Sequence, residues 1–305
     1  MGRGSRKPAG FRDIDGILLL DKPKGISSNE ALQKVRSLFK ANKAGHTGSL
    51  DPLATGILPI CFGEATKFSA YLLDASKSYR AVCQLGKTTT TADAEGEVTS
   101  ESPVTVSADE LAAVLTRFTG VIEQIPPMHS AVKVKGQRLY KLARKGREVE
   151  RAARTIEILK LDLVEFNQDQ LVIDVHCSKG TYIRTLAEDI GKALGCGAYL
   201  ADLRRTGVHP FWQQTSYTLE TLQEVSDDNQ SQFLLPVKAA LSDLPELIVD
   251  SLATENLKQG RVIANDSSVH SGLLNLVSEN GLFIGIGEAT NDGRILPKRL
   301  MNTAR

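Results

Sequence analysis

The chain has little of what would commit it to an oxidised, membrane-embedded or metal-dependent protein. Only four cysteines, Cys61, Cys83, Cys177 and Cys196, occur in 305 residues, and none has Cys-x-x-Cys spacing. Such scarcity argues against a disulfide scaffold or zinc site and for a reducing, cytoplasmic setting, with the thiols as small core residues. The five histidines show no metal-ligand spacing with one another or with cysteine, so no metal is assigned. No apolar run reaches membrane-spanning length, and residues 1–10 lack the hydrophobic stretch of a secretory leader. A Walker-type phosphate loop, an internal repeat and a low-complexity tract are also missing. Net charge is only +1, so bulk charge says nothing about nucleic acid. Its distribution does: residues 131–154 hold nine basic side chains against two acidic ones, a footprint suited to a phosphate backbone.

At 41% hydrophobic residues the chain can bury one large core and a smaller one. Residues 1–12 read as a flexible basic tail, 13–246 as the main domain with a basic insertion at 124–154, and 247–305 as a small β-rich domain severable near Asp243. Ser27 and Glu30 have capping-box spacing ahead of an apolar helix face, Ala31, Leu32, Val35, Leu38 and Phe39, and Ser107 and Glu110 repeat it before a helix to Phe118. Tyr79, Ala81, Cys83 and Leu85 alternate with Ser78, Arg80, Val82 and Gln84, a strand pattern that returns at 156–166 and 171–177. A further helix has Ile183, Ala187, Ile190 and Leu194 on one face and Gly195 as its stop, with Arg184 at its start and off that face. The polar stretch 226–232 reads as an exposed loop. Beyond Pro245, apolar runs at 247–249, 261–264, 273–277 and 282–286 predict short strands.

The segment His46-Thr47-Gly48-Ser49-Leu50-Asp51-Pro52-Leu53-Ala54-Thr55-Gly56 sets one carboxylate in a tightly punctuated loop. Gly48 and Gly56 permit backbone geometry closed to other residues, and Pro52 pushes Asp51 out of the helical region. A rigidly held aspartate suits a nucleophile. An Asp-Pro pair is also a routine turn opener, and loop chemistry alone leaves both readings open.

The whole string resembles the catalytic motif H-T-G-x-L-D-P-x-A-x-G-x-L of the tRNA pseudouridine synthases that modify the T-arm uridine, the TruB family. Gly16 to Gly25 is similar to that family's opening strand and turn, Lys77-Ser78-Tyr79-Arg80-Ala81 to its tyrosine motif, Ser178 to Leu186 to its arginine motif, and Leu203-Arg204-Arg205-Thr206 to its leucine motif. Several motifs in the family's chain order carry far more weight than any one alone. The resemblance implies an α+β fold: a large mixed or antiparallel sheet with flanking helices, plus a small C-terminal β-barrel of the PUA type. It implies a cofactor-free isomerisation of a flipped-out tRNA uridine by a monomer that needs no protein partner.

The resemblance also assigns roles. Asp51 is the nucleophile, since a carboxylate can add reversibly to the sugar carbon or the ring. Arg184 is the cation that keeps it ionised in a water-poor pocket, through a two-point grip. Tyr79 offers a ring for the uracil and a hydroxyl for the C5 proton; His46 stacks in the gap the base leaves. Leu203 forms an apolar wall with Tyr182 against it, while Lys22 in the opening motif and Lys133, Arg144 and Lys145 in the insertion bind the substrate. Three other readings fit parts of the chain. A guide-RNA-dependent relative usually departs from Leu53-Ala54-Thr55-Gly56-Ile57-Leu58; a non-catalytic tRNA-binding and folding protein needs only the basic segment and the C-terminal domain; and a nucleoside hydrolase would release free uracil.

Overall fold

The computed structural model describes residues 10–302 apart from 131, 135, 144 and 266–268. Strand β1 (Gly16–Lys22) is apolar from Gly16 to Leu20 because both of its faces are covered: Ile17 and Leu19 enter one core, Leu18 and Leu20 another. Helix α1 (Ser28–Leu38) starts where Ser27 Oγ accepts a hydrogen bond from the Glu30 amide at 3.1 Å. The Glu30 carboxylate turns to Lys34, 3.5 Å away, so the capping-box spacing yields only one half of that motif here. Then follow β2 (Ala44–His46), β3 (Thr55–Phe62), α2 (Ser69–Asp74) and β4 (Lys77–Leu85). The hairpin of β5 (Lys87–Thr89) and β6 (Val98–Glu101) leads to α3 (Ala108–Arg117), whose reciprocal Ser107–Glu110 capping box does form, and to β7 (Gly120–Gln124).

The basic insertion folds as a hairpin, β8 (Lys133–Val134) with β9 (Gln137–Arg138), and a short helix α4 (Leu139–Ala143) rooted by buried Leu139 and Leu142. Its neck is closed by Arg151, which donates to the Pro126 carbonyl at 3.2 Å and pairs with Glu148 at 3.0 Å. The chain returns through β10 (Arg154–Asn167), β11 (Gln170–Cys177), α5 (Ile183–Ala193), β12 (Ala198–Val208) and α6 (Leu219–Gln223).

The main sheet has the order β1-β3-β12-β4-β11-β10-β7, with β2 added on β3. Helices α3 and α5 cover the face toward which Tyr79, Ala81, Cys83 and Leu85 point, forming the largest apolar cluster. The β3–β12 contact is parallel and sets Arg205 beside Gly56. Gly56 has φ +101°, and a Cβ there would lie 2.2 Å from the Arg205 carbonyl oxygen, so the close approach requires glycine. This contact fixes the leucine-motif strand directly beneath the end of the Asp51 loop.

A second, curled sheet has the order β13 (Glu246–Val249), β15 (Gly272–Ser278), β16 (Phe283–Thr290), β17 (Arg294–Leu300) and β14 (Ile263–Ala264), with α7 (Ser251–Lys258) against it. The architecture is therefore α+β with a small PUA-like C-terminal β unit. Helix α7 and strand β17 lie outside the apolar runs 247–249, 261–264, 273–277 and 282–286 that predicted the neighbouring strands. What starts α7 is a cap, with Asp250 Oδ1 accepting from the Ala253 amide at 2.6 Å.

Three expectations need correction. Residues 11 and 12 are not part of a free tail, because the Arg12 amide donates to the Lys40 carbonyl at 2.7 Å and Arg36 lies over the Phe11 ring. The stretch 226–232 is exposed at 226, 229, 231 and 232 but forms a 3-10 turn, and its Gln230 is buried, donating to the Leu38 carbonyl at 3.1 Å and accepting from Arg12 at 3.0 Å. A cut near Asp243 would also not be clean. Ile286 is buried in the cluster of Ile17, Phe68 and Leu241, with Phe283 and Met301 packed against it, and Asn275 Nδ2 donates to the Leu241 and Leu244 carbonyls at 2.9 and 3.2 Å. Each fully buried apolar side chain contributes about 1.5–3 kcal/mol, so a chain ending at Asp243 should melt well below the full-length protein and bind a hydrophobic dye. An unchanged melting temperature without dye binding would show that this contact carries no stability.

Candidate active site

The loop between β2 and β3 is pinned before any substrate arrives. Ser28 Oγ donates to the Leu50 carbonyl at 2.9 Å and accepts from the Leu50 amide at 2.7 Å, while the Gly25 amide donates to the Pro52 carbonyl at 2.8 Å. The Ala54 amide closes the turn on the Asp51 carbonyl at 3.1 Å. Gly48 takes φ +76°, so the left-handed geometry is used. The Asp51 side chain stays 44% exposed, open to the cleft.

Arg184, on the first turn of α5, meets it from the other side. Its Nη2 lies 3.0 Å from Asp51 Oδ2, and its Nη1 lies 3.4 Å from Oδ2 of Asp93. The same guanidinium donates to the carbonyls of His129 at 2.8 Å and Thr91 at 3.4 Å. Only 6% of the Arg184 side chain and 3% of that of Asp93 is exposed. Isolated burial of such a cation would be strongly unfavourable; two carboxylates and two carbonyls offset it. Burial pushes the Asp51 carboxyl above its ordinary range, Arg184 opposes that, and Asp93 adds to it.

Tyr79 and Leu203 share one apolar cluster with Leu50, Ala54 and Ile183, so the tyrosine ring, the leucine wall and the loop are in one place. Burial pushes the Tyr79 phenol up, and Arg205 opposes it. His46 ends β2, half-buried, with Nδ1 buried and unpartnered among the described residues; burial and then Arg205 lower its pKa. Tyr182 is held by its backbone, its amide donating to Gln124 Oε1 at 3.0 Å and its carbonyl accepting from Gln124 Nε2 at 3.2 Å. The cluster beside Leu203 takes Ile183 rather than Tyr182.

Lys22 does not face the cleft surface. It is fully buried, and its Nζ donates to the carbonyls of Pro23 at 2.8 Å and Ile26 at 2.7 Å, with its pKa lowered by burial to about 8. The residue braces the turn after β1 instead of touching RNA directly. Lys133 and Lys145 are exposed on the insertion, and Arg144 lies outside the described residues. Among the described residues, no group of three or more His, Cys, Asp or Glu is placed to hold a metal ion, and no helix is long and apolar enough to cross a membrane.

Three buried residues at or beside the site escaped the sequence reading: Asp93, Arg205 and Lys77. Asp93 sits in a polar loop, Thr89-Thr90-Thr91-Ala92-Asp93, with no periodicity to mark it. Arg205 could have been found: a period of two puts it on the same face as Leu203, an inward position for a cation. Lys77, two residues before Tyr79, gave the same signal, and its Nζ donates to the carbonyls of Leu73 at 3.0 Å and Ala75 at 2.5 Å.

Comparison with known proteins gives the arrangement a family. Residues 36–183 match the TruB family pseudouridylate synthase (N terminal domain), 184–242 the tRNA pseudouridylate synthase B C-terminal domain, and 245–301 the C-terminal domain of pseudouridine synthase II TruB. The chain is 55% identical over 296 residues to the tRNA pseudouridine synthase B of Ectopseudomonas mendocina (strain ymp), covering 96% of this chain and 97% of that one. The same comparison with the tRNA pseudouridine synthase B of Pseudomonas aeruginosa (strain UCBPP-PA14) gives 53% identity with the same coverage. A chain from the crystal structure of a Cbf5-Nop10-Gar1 complex superposes with a TM-score of 0.72 at 25% identity, over 94% of this chain and 84% of that one. One from the archaeal box H/ACA sRNP Nop10-Cbf5 complex gives 0.69 at 23% identity, over 97% and 88%, a likeness of fold. With its motif loop, its buried arginine and these relatives, the chain belongs to the TruB family of pseudouridine synthases.

Proposed function

We propose that this chain converts the T-arm uridine of tRNA to pseudouridine, with Asp51 as nucleophile and Arg184 as the cation that orients it. The observation that carries the reading is the 3.0 Å contact of a buried guanidinium with a carboxylate that still opens to the cleft. An ionised nucleophile aimed outward and held from behind is what attack on a flipped nucleotide needs. Tyr79 stacks on the base and takes its C5 proton late in the reaction, Leu203 walls the pocket, and His46 fills the gap in the RNA. Tyr182 closes the start of α5 at the pocket edge, and Lys22 acts through the loop it braces. Lys133, Arg144 and Lys145 meet phosphates.

The catalytic unit is 13–246, the insertion 124–154 grips the T arm, and 247–305 extends the contact along the tRNA. The protein works as a cytoplasmic monomer without cofactor, and assistance to tRNA folding is compatible with the same surface. The 53–55% identity to tRNA pseudouridine synthase B sequences, against 23–25% to chains from the Cbf5 complexes, favours tRNA over guide-dependent substrates.

Incubation with an unmodified tRNA transcript, followed by nucleoside analysis, should yield pseudouridine in the T arm and no free uracil, and Asp51→Asn should bind the tRNA and produce none. Free uracil would mean hydrolysis, and turnover by Asp51→Asn within about tenfold of wild type, a barrier change of about 1.4 kcal/mol, would remove the nucleophile.

Arg184→Lys keeps the charge but loses the planar grip, so kcat should fall well over about tenfold with KM little changed. Asp51 must be ionised to act, so the wild-type rate should fall as pH drops through a value above the usual aspartate pKa of about 4. A pure KM effect would place Arg184 on an RNA phosphate, and an acid limb at or below the ordinary aspartate value would contradict the upward push on the Asp51 carboxyl.

Neutralising Lys141, Lys145 and Arg147 together should weaken tRNA binding and flatten its salt dependence, each lost phosphate contact reducing the log-log slope by roughly 0.7–0.9. An unchanged slope would leave the insertion pointing at solvent.

A further inference from the structure

Arg205 is the largest fully buried side chain among the described residues. Its Nε donates to the Ile57 carbonyl at 2.6 Å and its Nη2 to the Gly48 carbonyl at 3.1 Å, so it ties together the two flanks of the segment that bears Asp51. Across the β4–β12 pair it stands directly opposite Tyr79, so the two side chains share one face of the sheet, and its charge opposes the upward push that burial gives the Tyr79 phenol. Two carbonyls do not neutralise a guanidinium, and among the described residues no carboxylate forms an ion pair with it. A buried cation without a counter-ion is costly, and it favours negative charge on any oxygen within hydrogen-bond reach. The titratable oxygen paired across the strands with this cation is the phenol of Tyr79.

We propose that Arg205 is a positioning residue for the last chemical step, holding the Tyr79 oxygen toward the base and stabilising it in the deprotonated form that removes the C5 proton. The proposal rests on Tyr79 being that base. Once the sugar carbon is bonded to C5, the C5–H bond breaks and its proton passes to the phenolate oxygen. The C–H electron pair becomes the C5=C6 double bond, and the former C6=N1 pair moves to N1, which takes a proton from water. Burial pushes the Tyr79 phenol up, Cys177 on β11 and Asp51 in the loop add to that, and Arg205 on β12 opposes it; Lys77 lies two residues before Tyr79 on the same inward face of β4.

Single-turnover kinetics on tRNA carrying uridine or 5-deuterouridine test this. Arg205→Lys and Arg205→Gln should lower the rate by more than about tenfold, raise the deuterium isotope effect and move the pH optimum upward, with tRNA affinity nearly unchanged. Combined with Tyr79→Phe, either should be no slower than Tyr79→Phe alone. A rate loss with isotope effect and pH profile unchanged would confine Arg205 to holding the loop and overturn the proposal. Near-wild-type turnover by Tyr79→Phe would instead overturn the reading of Tyr79 as base. Should neither arginine variant fold, nitrogen-15 NMR of the arginine guanidinium groups in wild type and Tyr79→Phe decides: a shifted, exchange-protected signal lost with the hydroxyl supports the contact, and an unchanged spectrum overturns it.

Discussion

One buried guanidinium sets the geometry on which the rest of the site depends. Arg184 reaches Asp51 in the β2–β3 loop, Asp93 and Thr91 in the β5–β6 hairpin, and His129 at the root of the basic insertion. Taking such an ion out of water costs several kcal/mol, and the cost is offset only if all of these partners keep their places. Segments far apart in sequence are thereby drawn onto a single side chain. Because His129 roots the insertion, the cation that contacts Asp51 also anchors the basic segment.

Around that pair lies a second layer of cations bound to backbone. Lys22, Lys77 and Arg205 are all buried and all donate to carbonyls: Pro23 and Ile26, Leu73 and Ala75, Gly48 and Ile57. Carbonyl dipoles satisfy the donors without cancelling the charge, so the floor of the cleft is left positive. In a low-dielectric setting that field favours the anionic forms of groups above it and the polyanionic substrate. Arg205 also ties Gly48 to Ile57 on either side of Asp51, and Lys22 holds the turn whose Gly25 amide binds the Pro52 carbonyl.

Much of this is legible in the sequence. The punctuated loop with Gly48, Pro52 and Gly56 declares a fixed carboxylate, the alternation through Tyr79 to Leu85 declares a strand with one inward face, and Ser107 with Glu110 declares a helix start, because each rests on contacts within a few residues. What escapes depends on partners distant in sequence. Asp93 is unremarkable until Arg184 is beside it, and Gln230 looks like loop until Arg12 and Leu38 close on it. Arg205 belongs to a motif, yet its burial follows only from its place two residues after Leu203 on an inward face. The interface between the two sheets is illegible for the same reason as Asp93: nothing local to Phe283 or Ile286 says that they pack on Phe68 and Leu241.

The central claim is that Asp51, held by Arg184, is aimed at a nucleotide turned out of the T arm. A crystal structure of the protein bound to a T-arm stem-loop tests it most directly. The account predicts a flipped uridine stacked on Tyr79, its sugar or ring against the Asp51 carboxylate, with the Arg184–Asp51 contact kept. A uridine still stacked in the RNA helix, or an Asp51 carboxylate turned away from it, would contradict the claim.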